Sequence, residues 1–112
     1  MGVEENKIAA DIVDYCKIRH WPITRHQSGT LHGGRVHLGK QGWPDWIVVI
    51  KDIGTVLLEV KTPDGNLKVA QVERISEIRA NDGIVIVADS LGQFIWHVKA
   101  LQEGNQGWRM KY

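Results

Sequence analysis

The sequence predicts an α/β fold in which a central mixed sheet is flanked by helices. Three observations support this prediction. Apolar residues near the start recur at helical spacing, two apolar runs are separated by a short turn, and a second helical pattern precedes a β-branched run. With 112 residues, 43% of them hydrophobic, the chain is predicted to form one domain, residues 1–112, with a two-layer core.

The first part of the chain is predicted to form a helix, a short strand and a long loop. Apolar residues lie at helical spacing within residues 4–19, and Pro22 follows as the helix stop. Residues 23–27 are interpreted as a short strand. Residues 28–42 contain five glycines and are predicted to be a loop, whose length favours a functional segment over a simple connection.

The second part is predicted to supply the middle of the sheet and another helix. Residues 46–51 and 55–61 are apolar runs joined by a compact turn, so they are interpreted as a hairpin that is covered on both faces. Residues 67–81 recover a helical period. The β-branched run 84–88 is predicted to be an inner strand, and residues 94–98 a shorter final strand.

Positive charge is concentrated in one part of the chain, although the net charge is only +1. No acidic residue occurs between Tyr15 and Pro44, whereas this segment contains five basic residues and four histidines. Such a segment suits a polyanion such as nucleic acid, and a solvated loop whose charges have no role is an equally open interpretation. The candidate DNA contacts in this segment are Arg25, His26, Arg35, His37 and Lys40.

The composition limits where the chain works and what it binds. Its apolar runs are only strand-length and two acids follow closely on Met1, so neither a signal peptide nor a membrane span is expected, and we expect a cytoplasmic protein. Cys16, the single cysteine, is interpreted as a small buried hydrophobe. The histidines do not have the spacing of a compact zinc site, so zinc is not expected.

Charged residues stand at the ends of the two hairpin strands. Asp45 opens the first strand directly after Pro44, while Glu59 and Lys61 lie two residues apart near the end of the second and therefore share a face. An aspartate, a glutamate and a lysine in this arrangement suit a divalent cation beside a phosphate. A surface salt bridge in an edge strand is the competing interpretation.

Three short motifs follow one another in the chain: Gly42-x-Pro44-Asp45, then Glu59-x-Lys61, then Gly65-x-Leu67-x-x-x-Gln71. A helix and Gly83 before a hydrophobic strand complete the pattern. In this order and at this spacing the motifs resemble the virus-type replication-repair nuclease (VRR-NUC) domain of the PD-(D/E)xK nucleases, and the resemblance extends from the first helix to about Ser90.

The resemblance implies a restriction-endonuclease-like core of the form helix-strand-strand-strand-helix-strand. It also implies a stand-alone, phage-like nuclease that acts as a homodimer on branched or structured DNA, such as flaps or Holliday junctions, in replication, repair or recombination. Two alternatives stay open: a DNA-binding module that has kept the fold without catalysis, and a sequence-specific restriction-type endonuclease.

Each site residue then has an expected role. Phosphodiester hydrolysis needs an activated water, charge neutralisation at phosphorus and help for the departing oxygen, and a hard cation contributes to all three. The candidate Mg²⁺ ligands are Asp45, Glu59 and the backbone carbonyl of Val60, with Mn²⁺ expected to substitute. Lys61 is expected to orient or help deprotonate the attacking water and to offset charge on the phosphate.

An acidic residue early in the first helix joins the site in the resembled family. Glu5 matches this position best, and Glu4 is the alternative. A carboxylate that only favours the helix N-terminus is an equally open interpretation of either residue.

Two further positions lie at or near the second helix. Gln71 matches a family glutamine expected to hydrogen-bond the site or the phosphate, with a solvent-facing glutamine as the competing interpretation. Lys68 departs from the family's small hydroxyl residue, which leaves Asn66 or Asp64 as the predicted helix cap.

Two tryptophans bracket the first candidate ligand. Trp43 and Trp46 lie on either side of Asp45, and one of them is a candidate to stack on an unpaired base. A place in the core is the competing interpretation for both.

Overall fold

A four-stranded mixed sheet lies at the centre of the structure, a computed structural model that describes residues 2–26, 30–31, 36–37 and 42–104. The strands are β1 (Ile23–Arg25), β2 (Thr30–Leu31), β3 (Val36–His37), β4 (Trp46–Ile50), β5 (Gly54–Val60) and β6 (Val85–Ala88). The helices are α1 (Val3–Ile18), α2 (Val69–Ala80) and α3 (Leu91–Gln102). The central sheet has the order β1-β4-β5-β6, and β2 pairs with β3 in a separate antiparallel ribbon.

The predicted hairpin is confirmed and occupies the middle of the sheet. β4 is antiparallel to both β1 and β5, whereas β6 is parallel to β5. Helices cover both faces, as the continuous apolar runs predicted. α1 and α3 pack on one face through Ile12 and Phe94, and α2 packs on the other through Ile75.

Residues with left-handed backbones end the first two helices. His20 follows α1 with φ 61°, and the Trp21 N–H donates to the Cys16 carbonyl at 2.9 Å, so the helix is closed before Pro22 is reached. Asp82, with φ 66°, is the left-handed residue that follows α2. Gly83, the predicted stop, is needed for a different reason, since a Cβ there would overlap the Ile78 side chain.

The prediction of a strand over residues 94–98 is wrong, because this segment belongs to α3. Its apolar residues form a short run that also fits a strand. Ser90 caps the helix by accepting a hydrogen bond from the Gln93 N–H at 3.0 Å. Phe94, His97 and Val98 are then buried at helical spacing.

The predicted loop over residues 28–42 is wrong in part, because β2 and β3 lie within it. The other residues of this segment are outside the described part of the structure, except for Gly42. The prediction for Cys16 is confirmed: its side chain is fully buried, and this burial raises the pKa of the thiol to about 11. In the described part of the chain, no helix is both long and apolar enough to span a membrane.

Gly42 packs directly against the first turn of α2. Its φ is +92°, and a Cβ at this position would overlap the Ala70 backbone carbonyl. We therefore expect Gly42→Ala to lower the free energy of unfolding by about 2–4 kcal/mol, because it combines a strained backbone with a steric overlap. Urea denaturation measures this difference.

Gly54 provides a matched control for that experiment. It has a similar φ of +102°, but a Cβ there would meet open space. Gly54→Ala is expected to cost only the backbone strain, about 1 kcal/mol. Equal losses in the two variants would contradict the close packing of Gly42 on α2.

Candidate active site

Three neighbouring strands bring three of the predicted residues into one row across the sheet. β4 pairs with β5 so that Trp46 lies opposite Leu58, and one more step of this register places Asp45 opposite Glu59. Directly opposed side chains in antiparallel strands have Cβ atoms about 5 Å apart. On the other side, the His26 N–H donates to the Asp45 carbonyl. The row therefore runs from His26 through Asp45 to Glu59, on the face that α2 covers.

Glu59 is the most enclosed carboxylate of the described residues. Only 2% of it is exposed. Its Oε2 lies 3.8 Å from the Lys61 ammonium and accepts a hydrogen bond from Gln71 Nε2 at 3.4 Å. Its Oε1 is buried and has no hydrogen-bond partner in the part of the chain that the structure describes. A buried carboxylate oxygen without a donor is costly, and a bound cation would remove that cost.

The surroundings raise the pKa of the Glu59 carboxyl to about 7. Burial is the largest cause because it disfavours the charged form, and the negative charge of Asp45 acts in the same sense. Lys61 and the nearby backbone N–H of Asp45 lower the pKa, whereas Glu5 raises it. The N-terminus of α1 therefore contributes charge to this site. The role of Glu5 as a metal ligand stays a prediction.

The oxygen and the nitrogen of the Gln71 side-chain amide make hydrogen bonds to different partners. Its Oε1 accepts a hydrogen bond from the Lys68 N–H at 2.8 Å, which caps the start of α2, and its Nε2 donates to Glu59. The prediction of Asn66 or Asp64 as the cap is therefore wrong. Because the oxygen is held by the helix, the amide must present its NH₂ group to the carboxylate.

Gln71→Ala is expected to weaken Mg²⁺ binding about 10- to 100-fold, because the carboxylate loses the donor that orients it. Isothermal titration with Mg²⁺ measures this change. Gln93→Ala is the matched control, since Gln93 Oε1 caps α3 by accepting from the Asp89 N–H at 2.6 Å without contacting Glu59. Equal effects of the two substitutions would mean that Gln71 acts only through the helix.

Pro44 affects the hydrogen bonding of the Val60 carbonyl, which is a predicted metal ligand. The Leu57 N–H donates to the carbonyl of Ile84, the residue before β6, so the backbone groups of alternate β5 residues, including Val60, point towards β4. Two further steps of the β4–β5 register would pair Val60 with Pro44, which has no N–H to donate. This register offers the Val60 carbonyl no donor from the neighbouring strand, and its role as a ligand stays a prediction.

The donor set fits a hard cation that is completed by its substrate. Among the described residues, no three His, Cys, Asp or Glu side chains are close enough together to hold a metal ion. Mg²⁺ does not need such a cage, because it keeps several waters and is often held by one or two carboxylates together with substrate phosphates. Asp45 and the Glu59 Oε1, which has no hydrogen-bond partner among the described residues, match that requirement.

The predicted DNA contacts are only partly within the described residues. Arg25 is exposed, and its guanidinium lies 5.5 Å from the Trp46 ring. His26 is partly buried and belongs to the row beside Asp45. Arg35 and Lys40 lie outside the described residues, and His37 belongs to β3 with its side chain outside them.

Sequence reasoning missed Arg74. This residue lies on α2 three positions after Gln71, and its guanidinium is 5.5 Å from the Trp43 ring. Two side chains three residues apart on a helix lie on one face, so Arg74 could have been identified from its spacing to Gln71.

A mixed sheet flanked by helices, with an aspartate and a Glu-x-Lys motif on its two central strands, is the arrangement of the restriction-endonuclease-like fold. The chain is similar to a solved structure described as "VRR_NUC domain", with a TM-score of 0.69 and 16% identity over 88% of this chain and 97% of that one. It is also similar to a "VRR_NUC domain protein", with a TM-score of 0.64 and 19% identity over 88% of each chain.

No family model and no curated protein sequence matches the chain. The two structural similarities therefore show that it has the fold of VRR_NUC domains. They confirm, at the level of the fold, the resemblance that the motifs predicted.

Proposed function

We propose that this protein is a Mg²⁺-dependent endonuclease that hydrolyses phosphodiester bonds in branched or structured DNA. The observation that carries the proposal is the buried Glu59 carboxylate, which lies opposite Asp45, contacts Lys61 and Gln71, and has one oxygen without a hydrogen-bond partner among the described residues. The VRR_NUC fold supports the same class of activity.

Each residue of the site has a distinct part in the proposed reaction. Asp45 and Glu59 would hold the cation together with the Val60 carbonyl, and Gln71 keeps the Glu59 carboxylate in place. Bound Mg²⁺ would supply Lewis-acid stabilisation of the phosphate and favour deprotonation of water. Lys61, whose side chain is 17% exposed, donates to a phosphate oxygen and orients the attacking water.

The proposed substrate has a branched or otherwise structured backbone. Two copies of the chain would carry two such sites, an arrangement that suits two opposed strands of a four-way junction. We therefore propose a homodimer that acts on DNA within the cell, with Mn²⁺ able to replace Mg²⁺.

A panel of labelled linear, flapped and four-way DNA with Mg²⁺, Mn²⁺ or EDTA tests the function. Wild type should cut structured DNA only with a metal, and Glu59→Ala should not cut it. Glu73→Ala is the matched control, because Glu73 is an exposed carboxylate on α2. Its activity should stay within twofold of wild type.

The alternative functions give different results in the same panel. A DNA-binding module without catalysis would retain the labelled DNA in a gel-shift assay but leave every strand intact with either metal. A sequence-specific restriction-type enzyme would produce discrete fragments from plasmid DNA and cut linear duplex as well as the four-way junction.

A further inference from the structure

We propose that Trp43 is the platform on which an unpaired nucleobase stacks, beside the phosphate that is cut. This inference rests on the proposed function and deepens it, because it names the feature of the DNA that the site recognises. The substrate class is DNA with an unpaired nucleotide next to the cleaved bond.

Trp43 lies on the same face of the sheet as the carboxylates. The preceding Gly42 packs against the Ala70 backbone of α2, the helix that covers this face. The ring contacts agree with that position. The Trp43 ring meets the ring of His26, which belongs to the row of Asp45 and Glu59, with a centroid distance of 6.2 Å.

A second contact joins Trp43 to the helix that carries Gln71. The Arg74 guanidinium lies 5.5 Å from the Trp43 ring, and Gln71 is almost one helical turn before it on α2. Gln71 in turn donates to Glu59. The indole is thus connected to the carboxylate site through both a strand residue and a helix residue.

The orientation of the Trp43 ring is established without a ligand. Gly42 packs its backbone against Ala70, which positions the segment over α2. The His26 and Trp43 rings form an edge contact at 61°, and the Arg74 side chain is only 12% exposed and ion-paired with Glu77. A ring held from several sides loses little conformational entropy when a base stacks on it.

The structure distinguishes between the two tryptophans that bracket Asp45. Trp46 packs against the hydrophobic core on the face covered by α1 and α3, away from the carboxylates. Trp43 is partly exposed and is not among the residues of either core cluster. Of the two, Trp43 therefore has the surface and the position to meet DNA bound at the site.

An unpaired base is the ligand that suits a single indole beside a scissile phosphate. Bases within a duplex are stacked on both neighbours, so they have no free face to offer. An unpaired base exposes its aromatic face, and stacking on an indole does not depend on which base it is. Arg74 and His26 lie against the ring, and both side chains can donate hydrogen bonds to the adjoining backbone phosphates.

Two labelled duplexes that differ only in one unpaired nucleotide test the proposal. Binding is measured with Ca²⁺ in place of Mg²⁺, so that the carboxylates are neutralised, and a denaturing gel verifies that the DNA is intact. Trp43→Ala should weaken binding of the bulged duplex about 5- to 150-fold and leave binding of the paired duplex within twofold. Trp43→Phe should retain most of the preference for the bulge.

Trp96→Ala is the matched control. Trp96 is 56% exposed on α3, which packs on the opposite face of the sheet from α2. Its loss should not change the binding of either duplex. Equal binding of the bulged duplex by Trp43→Ala and Trp96→Ala would overturn the proposal.

A measurement on wild type covers the case in which Trp43→Ala does not fold. 2-Aminopurine is placed at the unpaired position, and stacking on the indole should quench its emission when protein is added. Unchanged emission at saturation would also overturn the proposal. If wild type cuts no DNA, the proposed nuclease function is wrong, but the binding results still test whether Trp43 stacks on a base. If Trp43→Ala cuts DNA and binds the bulged duplex like wild type, only the stacking role of Trp43 is wrong.

Discussion

Glu59→Gln is expected to lower Mg²⁺-dependent DNA cleavage by about 10³-fold or more. The substitution keeps the shape of the side chain but removes the charge that would hold the proposed cation, and a bound cation supplies several kcal/mol of transition-state stabilisation. Single-turnover cleavage of a four-way junction measures the loss. Activity within tenfold of wild type would contradict the assignment of Glu59 as a ligand.

The same substitution is expected to stabilise the metal-free fold above pH 7. Glutamate ionises at about 4.5 in the unfolded chain, whereas the pKa of Glu59 in the folded protein is about 7. Between these values the folded protein holds a proton that the unfolded chain has released, so the free energy of unfolding falls as the pH rises from about 4.5 to 7. Glutamine carries no charge to bury, and we expect it to recover about 1–3 kcal/mol at pH 8.

Urea denaturation in EDTA at pH 5 and pH 8 measures this difference. Wild type should lose stability between the two values relative to Glu59→Gln, and Glu73→Gln should follow wild type. Adding Mg²⁺ at pH 8 should raise the melting temperature of wild type but not that of Glu59→Gln. A Glu59→Gln protein that is less stable than wild type at pH 8 would contradict the burial of an ionised carboxylate.

Lys61→Met is expected to lower cleavage about 10²- to 10³-fold, because the proposed donor to the phosphate is removed. Lys61 also lowers the pKa of Glu59, so its loss should raise that pKa further and move the onset of Mg²⁺ binding to higher pH. A pH profile of cleavage and a Mg²⁺ titration at each pH separate the two effects.

Lys51→Met is the control for this experiment, since Lys51 is exposed in the turn at the far end of the hairpin. It should cut DNA like wild type at every pH. Full recovery of Lys61→Met at high pH would mean that Lys61 acts only on the Glu59 carboxyl and not on the phosphate or the water. Unchanged cleavage at pH 7 would remove Lys61 from the mechanism.

The hairpin and its charged ends were predictable because their determinants are close together in the chain. Two apolar runs and a short turn ending at Gly54 establish the pairing of β4 and β5. Once these strands pair, Asp45 must lie opposite Glu59, and Lys61 must share the face of Glu59. A short apolar run is weaker information, and it led to the wrong strand over residues 94–98, where the Ser90 cap and the helical spacing of the buried residues decide the structure.

The sequence by itself therefore determined which residues form the candidate site and on which strands they lie. Only the tertiary structure decided the state of those residues. The burial of Glu59, its raised pKa and its contact with Gln71 depend on α2 and on the N-terminus of α1, which packing brings to the sheet. The side of the sheet that Trp43 faces, and its contact with Arg74, depend on the same packing. Strand pairing follows from local pattern, whereas burial and electrostatics depend on groups that are distant in the chain, and this difference separates what could be predicted from what had to be observed.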